Sequence, residues 1–200
     1  MKWCRISYLI VIAGVFLILG CTPRSRYERM LKKELASGIR EDSLFMGIRL
    51  GMTDREFYTH CWELNRQGLV RQGSANTTVM YNVIEELDHP ATMDFYPEFR
   101  EGKIVEMPVR FCYNGWAPWN KTLSSDSLQL DVLEWYRDIY GGGFIEVEHP
   151  LHGRAYTKVD GNRRITIFRE NDTYVWAVFT DLLAIKEETS EPDSTDVHEE

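Results

Sequence analysis

The sequence predicts an α+β fold, and three observations predict it. Two stretches, 54–67 and 126–140, carry helical spacing with recognisable end signals. Runs of strand length, rich in Val, Ile, Phe, Tyr and Thr, follow each of them. Tight-turn pairs such as Glu101-Gly102, Asp160-Gly161 and Asn171-Asp172 separate neighbouring runs. Strands joined by tight turns pair antiparallel, so the expected arrangement is helices packed on an antiparallel sheet.

The chain begins with a cationic head, Lys2 and Arg5, and a fourteen-residue apolar run, Ile6 to Leu19. That run is too short to span a bilayer as a helix but suits the hydrophobic part of a secretory signal. It ends in Ile18-Leu19-Gly20-Cys21, which resembles the lipobox of bacterial lipoproteins, with Ile18 where the family more often has Leu. The resemblance implies cleavage before Cys21 and lipidation of its sulfur and amine, so that acyl chains hold the protein at a membrane. By the same resemblance to lipoproteins, Thr22 in place of an Asp implies the outer rather than the inner membrane, and the lack of an acidic run after Cys21 implies its periplasmic face.

Ser25 to Gly38 reads as a short helix, with Ser25 and Glu28 as a capping box and Gly38 as its C-terminal cap. Its apolar content, Tyr27, Met30, Leu31 and Leu35, is thin, which suits a spacer that lifts the domain off the membrane, or a helix docked on it. The next helix has stronger signals. Thr53 is the N-cap, Glu56 closes the box, Met52 and Phe57 staple it, and Gly68 stops it. The run Gly51-Met52-Thr53-Asp54-Arg55-Glu56-Phe57 resembles the helix start of small envelope lipoproteins of the SmpA/BamE kind, which implies a BLIP-like α+β fold.

Strands are expected at 78–84, 91–96 and 104–113, the last with Val105, Met107, Val109, Phe111 and Tyr113 on one face. Pro108 within it suggests an edge or a bulge. After a loop over 114–124, a helix is expected from Asp126 to Tyr140, with Leu130, Leu133 and Ile139 among its apolar positions, ending at Gly141-Gly142-Gly143. Strands follow at 144–148, 154–159, 163–169 and 173–180. Both faces of the last are apolar, which suits a central strand covered on both sides. Glu86-Leu87-Asp88-His89-Pro90 recurs as Glu146-Val147-Glu148-His149-Pro150, which suggests a duplicated helix-plus-sheet unit.

The expected organisation is therefore a signal peptide at 1–20, a lipidated tether with a spacer helix at 21–42, and one α+β domain at 43–186. The domain has halves of about 43–113 and 123–186. An acidic tail occupies 187–200, with seven acids and no Lys or Arg, and should be disordered. The full chain is −8, and the body without signal and tail is near −3, which gives no support for nucleic-acid binding. Cys61 and Cys112 remain in the body. They form either a disulfide or two buried free thiols, and their expected facing argues mildly against a bridge.

Three constellations carry chemistry. His149, His152, Glu146 and Glu148 contain metal-ligand types, but Pro150 and the strand alternation splay them, so no metal or other cofactor is expected. Glu85, Glu86 and Asp88 lack a fixed spacing across a cleft, and no catalytic motif accompanies them. The loop Tyr113 to Asn120 holds Trp116 and Trp119 beside Asn114 and Asn120. Those indoles either form a contact surface for a protein or sugar, or fold back over the junction of the halves. The function expected is a non-enzymatic protein-interaction module in the bacterial envelope, bound to the outer membrane through Cys21. The alternative is a glycan-binding lipoprotein that uses the aromatic loop.

Overall fold

The computed structural model describes residues 23–73 and 77–185. The expected signal peptide, Cys21 and the acidic tail lie outside the described residues. The α+β expectation is met: helices α1 (Pro23–Ala36), α2 (Asp54–Arg66) and α3 (Ser125–Tyr140) accompany a nine-stranded antiparallel sheet. Its strands are β1 (Val70–Gln72), β2 (Val79–Val83), β3 (Ala91–Phe95), β4 (Glu98–Arg100), β5 (Lys103–Tyr113), β6 (Ile145–His149), β7 (Gly153–Asp160), β8 (Arg163–Arg169) and β9 (Val175–Asp181). A short 3-10 turn, Lys121–Leu123, precedes α3.

The sheet runs in the order β1-β2-β3-β5-β9-β8-β7-β6, with β4 beside β5. Each half is thus a helix followed by an antiparallel meander, and the second half mirrors the first across the β5–β9 seam. Met107↔Phe179, Val109↔Ala177 and Phe111↔Val175 pair along that seam and are all buried. The five-residue recurrence is not part of this symmetry. Glu86 to Pro90 lies in the loop between β2 and β3, the second and third positions of its meander, whereas Glu146 to His149 forms β6, the first position of the other. The topology repeats, and the short sequence match that suggested it falls out of phase.

The other departures each have a local cause. Glu101-Gly102 turns β4, not β3, into β5, because Tyr96-Pro97 breaks the partner strand in two. Pro108 sits in a central strand, not at an edge. On the β3/β4 side the ladder covers 109–113 and 103–106, so the break lies opposite Pro108, where a residue without an N–H has no donor to offer. The α3 phase differs as well. Leu128, Gln129, Val132, Leu133 and Tyr136 are buried, while Leu130 and Ile139 are about half exposed. Helix α1 starts at Pro23, two residues before the expected cap, since proline's fixed φ suits a first helical position. Ser25 therefore lies inside the first turn rather than at an N-cap.

Nor is α1 a free spacer. Its Tyr27, Met30, Leu31 and Leu35 side is half-buried, and it packs on β6 and β7. The segment that follows it is fastened to the β7–β8 turn. Asn162 accepts from Glu41 N at 2.7 Å and donates to Asp42 at 3.2 Å, and Arg40 reaches Asp181 at 3.6 Å. Gly161, at φ +54°, makes this contact close. A Cβ there would lie 2.2 Å from the Ile39 carbonyl oxygen.

Helices α2 and α3 cover one face of the sheet. Phe57 of α2 packs edge-on against Tyr96 and Phe99, and Tyr136 of α3 packs edge-on against Phe111 and at a tilt against Phe179. Among the described residues, α1 is the helix that packs on the other face, over its β6–β7 end. In β9, Val175, Ala177 and Phe179 are buried on the core side, but Trp176 and Val178 opposite are only half-buried, so the strand is central yet covered fully on one side.

Candidate functional site

The loop Tyr113 to Asn120 does not act as a unit. Trp116 is half-buried, and its Nε1 donates to the Asp172 carbonyl oxygen at 2.9 Å. The same carbonyl accepts from Ser125 N at 3.2 Å, so Trp116 ties the inter-half loop and the start of α3 to the β8–β9 turn. Asn114 is held too, its Oδ1 accepting from Thr92 Oγ1 at 2.7 Å. Asn120 N donates to the Ala117 carbonyl oxygen at 2.9 Å, and its own carbonyl accepts from Leu123 N. Trp119 alone of the two indoles faces solvent, 85 % exposed.

A different cluster lies on the sheet face away from α2 and α3. Cross-strand register places Arg110 of β5 beside Trp176 of β9. The Arg110 guanidinium sits 4.6 Å from the Tyr174 ring centroid and 5.8 Å from that of Trp176. Asp94 of β3 lies 4.0 Å from Arg110, and Glu170 accepts from Trp176 Nε1 at 2.8 Å. These partners hold the cation over two aromatic rings at a half-buried site. The sequence signal was the outward phase of Arg110 within an apolar run. It was missed because pairing between β5 and β9, residues some seventy positions apart, is not readable from either strand.

Beside this cluster, a groove of about 1050 Å³ opens between α1 and the same sheet face. A polar row crosses its floor. Arg164 donates to Thr180 Oγ1 at 3.4 Å and to Tyr27 OH of α1 at 3.3 Å, and Thr180 donates to Glu106 at 3.0 Å. Burial pushes the Glu106 carboxyl above the ordinary carboxylate range, against the Thr180 hydrogen bond. At the groove's other end, His149 and His152 both stack on Phe168, with ring centroids 4.5 and 4.7 Å away. Burial, with His152 nearby, holds the His149 imidazole below its ordinary range.

The remaining chemistry-bearing residues have structural partners. Cys61 and Cys112 are free and half-buried. Burial pushes the Cys61 thiol up to about 11 and Cys112 upward as well, so both are thiols rather than reactive thiolates at neutral pH. His60, next to Cys61 in sequence, bonds instead to the Met46 carbonyl at 2.6 Å. Glu86 accepts from Tyr81 OH at 2.5 Å and from the backbone N–H groups of Ile84 and Glu85, which makes it a loop-closing residue. Among the described residues, no three His, Cys, Asp or Glu side chains converge as metal ligands.

No protein-family model matches this chain, and no curated protein or solved structure matches it either. Fold and surface therefore define the class: an α+β module of two helix-and-meander halves. Its sheet presents one face, with an Arg-aromatic cluster and a groove, away from the core helices.

Proposed function

We propose that the protein is a bacterial envelope lipoprotein, held by lipid on Cys21 at the periplasmic side of the outer membrane, and that it binds a protein partner without catalysing a reaction. The observation that carries the binding reading is Arg110 stacked on Tyr174 and Trp176 on the sheet face away from α2 and α3. Arg, Tyr and Trp dominate the energetics of protein interfaces, and a guanidinium already held against rings loses little freedom on binding. The lipobox-like Leu19-Gly20-Cys21 supports the anchor. No helix among the described residues is long and apolar enough to cross a membrane.

Cross-linking in native membranes followed by purification tests the partner. A specific adduct is expected with the wild-type chain and not with Arg110→Ala/Trp176→Ala. An adduct unchanged by that double substitution would move the site elsewhere. Labelling with a palmitate analogue, present in the wild type and absent in Cys21→Ser, tests the anchor. The glycan reading keeps one specific support, the exposed Trp119 indole next to Asn120. Binding on a glycan array that is lost in Trp119→Ala would favour it.

A further inference from the structure

Charge is segregated in this molecule. The fourteen residues of α1 hold five basic side chains, Arg24, Arg26, Arg29, Lys32 and Lys33, and two acids, Glu28 and Glu34. The rest of the described body, 37–185, holds fifteen basic and twenty-two acidic residues. A helix of +3 is therefore mounted on a body of opposite sign.

Within α1 the charges are sorted by face. Tyr27, Met30, Leu31 and Leu35 recur at the spacing of one helical side, and that side is half-buried against β6 and β7. Two hydrogen bonds key it in place: Arg164 to Tyr27 OH at 3.3 Å, and Gly161 N to Glu34 at 3.4 Å. Arg26, Arg29 and Lys33 occupy positions i, i+3 and i+7 on the opposite side and are exposed, Lys33 with 83 % of its side chain in solvent. Docking on the sheet thus fixes the direction in which these cations point. The helix also begins at Pro23, two residues after Cys21, so this face lies where the chain would leave its anchor.

We infer that the outward face of α1, centred on Arg26, Arg29 and Lys33, is a contact surface for anionic phospholipid headgroups. This rests on the lipoprotein reading for its setting. The acyl chains would supply attachment, and the basic face would supply orientation, laying α1 along the bilayer instead of letting the domain swing from the tether. Basic segments beside a membrane anchor are attracted to anionic lipid over about a Debye length, roughly 8 Å at physiological ionic strength. With α1 lying along the bilayer, Arg26, Arg29 and Lys33 all fall within that range; with the helix upright, Lys33, ten residues beyond Pro23, would stand about 15 Å further out.

The test uses the mature-length chain, starting at residue 21, with Cys21→Ser so that lipid contributes nothing. Binding is read by co-sedimentation with vesicles of phosphatidylcholine alone or of phosphatidylcholine with phosphatidylglycerol. Binding to the anionic vesicles is expected, weakened by salt. It should fall by roughly tenfold or more in Arg26→Gln/Arg29→Gln/Lys33→Gln. A control triple with the same charge change elsewhere, Arg66→Gln/Lys121→Gln/Arg137→Gln, should bind as the parent does. Thermal unfolding by circular dichroism confirms that both triples fold. No preference for anionic vesicles, or equal loss in the two triples, overturns the assignment. Binding that emerges only when 187–200 are removed also overturns it, by giving the face to the acidic tail. Failure of the lipoprotein reading registers separately, as absent palmitate labelling of Cys21.

Discussion

The two halves share a topology but hold their helices by different means. Helix α2 of the first half buries only Phe57 and Leu64, yet its N-terminus carries a complete capping box. Thr53 Oγ1 accepts from Glu56 N at 3.3 Å, and Glu56 accepts from Thr53 N at 2.8 Å. Its end is equally local, with Gly68 at φ +74° after the Gln67 cap. Helix α3 has no side-chain hydrogen bond at its Ser124 cap, but it buries Leu128, Gln129, Val132, Leu133 and Tyr136. Gln129 even donates across the interface, to the carbonyls of Arg154 and Ile167 at 3.1 and 3.3 Å.

The charged groups differ in degree. The first half's Arg66–Glu63 pair is solvent-exposed, and its Arg110–Asp94 pair, 29 % and 13 % exposed, is a looser one at 4.0 Å. In the second half Asp160 joins Lys158 at 3.1 Å and Arg163 at 3.2 Å, and Arg163 also donates to the Ser43 carbonyl. One repeat is specified by signals along the chain, and the other by what the tertiary structure brings to it. The same topology therefore needs no common source of stability.

The largest expected effect breaks the buried network. Asp160→Ala leaves Lys158 and Arg163, whose side chains are 9 % and 6 % exposed, without their shared acid. Urea unfolding should show a loss of about 3–5 kcal/mol. A loss below about 1 kcal/mol, the range of surface pairs, would erase this contrast between the halves.

Leu128→Ala comes next, at about 2–5 kcal/mol, because it opens a cavity under a helix that depends on packing. The caps give the sharper comparison. Thr53→Ala should cost about 1 kcal/mol, and Ser124→Ala close to nothing. Equal losses in thermal unfolding would mean that α3 is capped like α2 and that the distinction is false.

The smallest effect concerns the outer face. The Glu106 carboxyl is raised by burial above its ordinary 4.5, so between 4.5 and its folded value the native state keeps a proton that the unfolded chain has released. Its contribution to stability is most favourable below 4.5 and declines as pH rises through the folded value. Glu106→Gln should remove that decline and unfold at a slightly higher temperature than the wild type at pH 8, with little difference at pH 4. Destabilisation by Glu106→Gln at pH 8 would show that the charged form is the one the groove stabilises.

What could be read in the sequence follows from the range of the interactions involved. The α2 cap and stop, seven strand positions and the alternation in β5 from Met107 to Tyr113 depend on neighbours within a few residues, and these stand close to where they were expected; at the start of β5 a register shift against β4 puts Ile104 in the core instead of Val105. Of the α3 positions named, Leu133 is buried but Leu130 and Ile139 are not, because burial is set by which side meets β5, β8 and β9, and those two are as apolar as Leu128 and Val132, which the core takes. The loop indoles looked alike along the chain, but only Trp116 has the Asp172 carbonyl within reach.

The sequence by itself determined the α+β class, the positions of the three helices and of seven of the nine strands, and the charge of every segment, because helix ends, period-two strands and composition are local properties; β1 and β4, three residues each, are too short to show a period. The tertiary structure decided that β5 and β9 form the seam, that α1 docks on the sheet instead of standing off it, and that Arg110 meets Tyr174 and Trp176. Those outcomes depend on register between distant strands and on which faces pair. A one-residue shift of register reverses every side chain on a strand, and no local pattern in this chain encodes that choice.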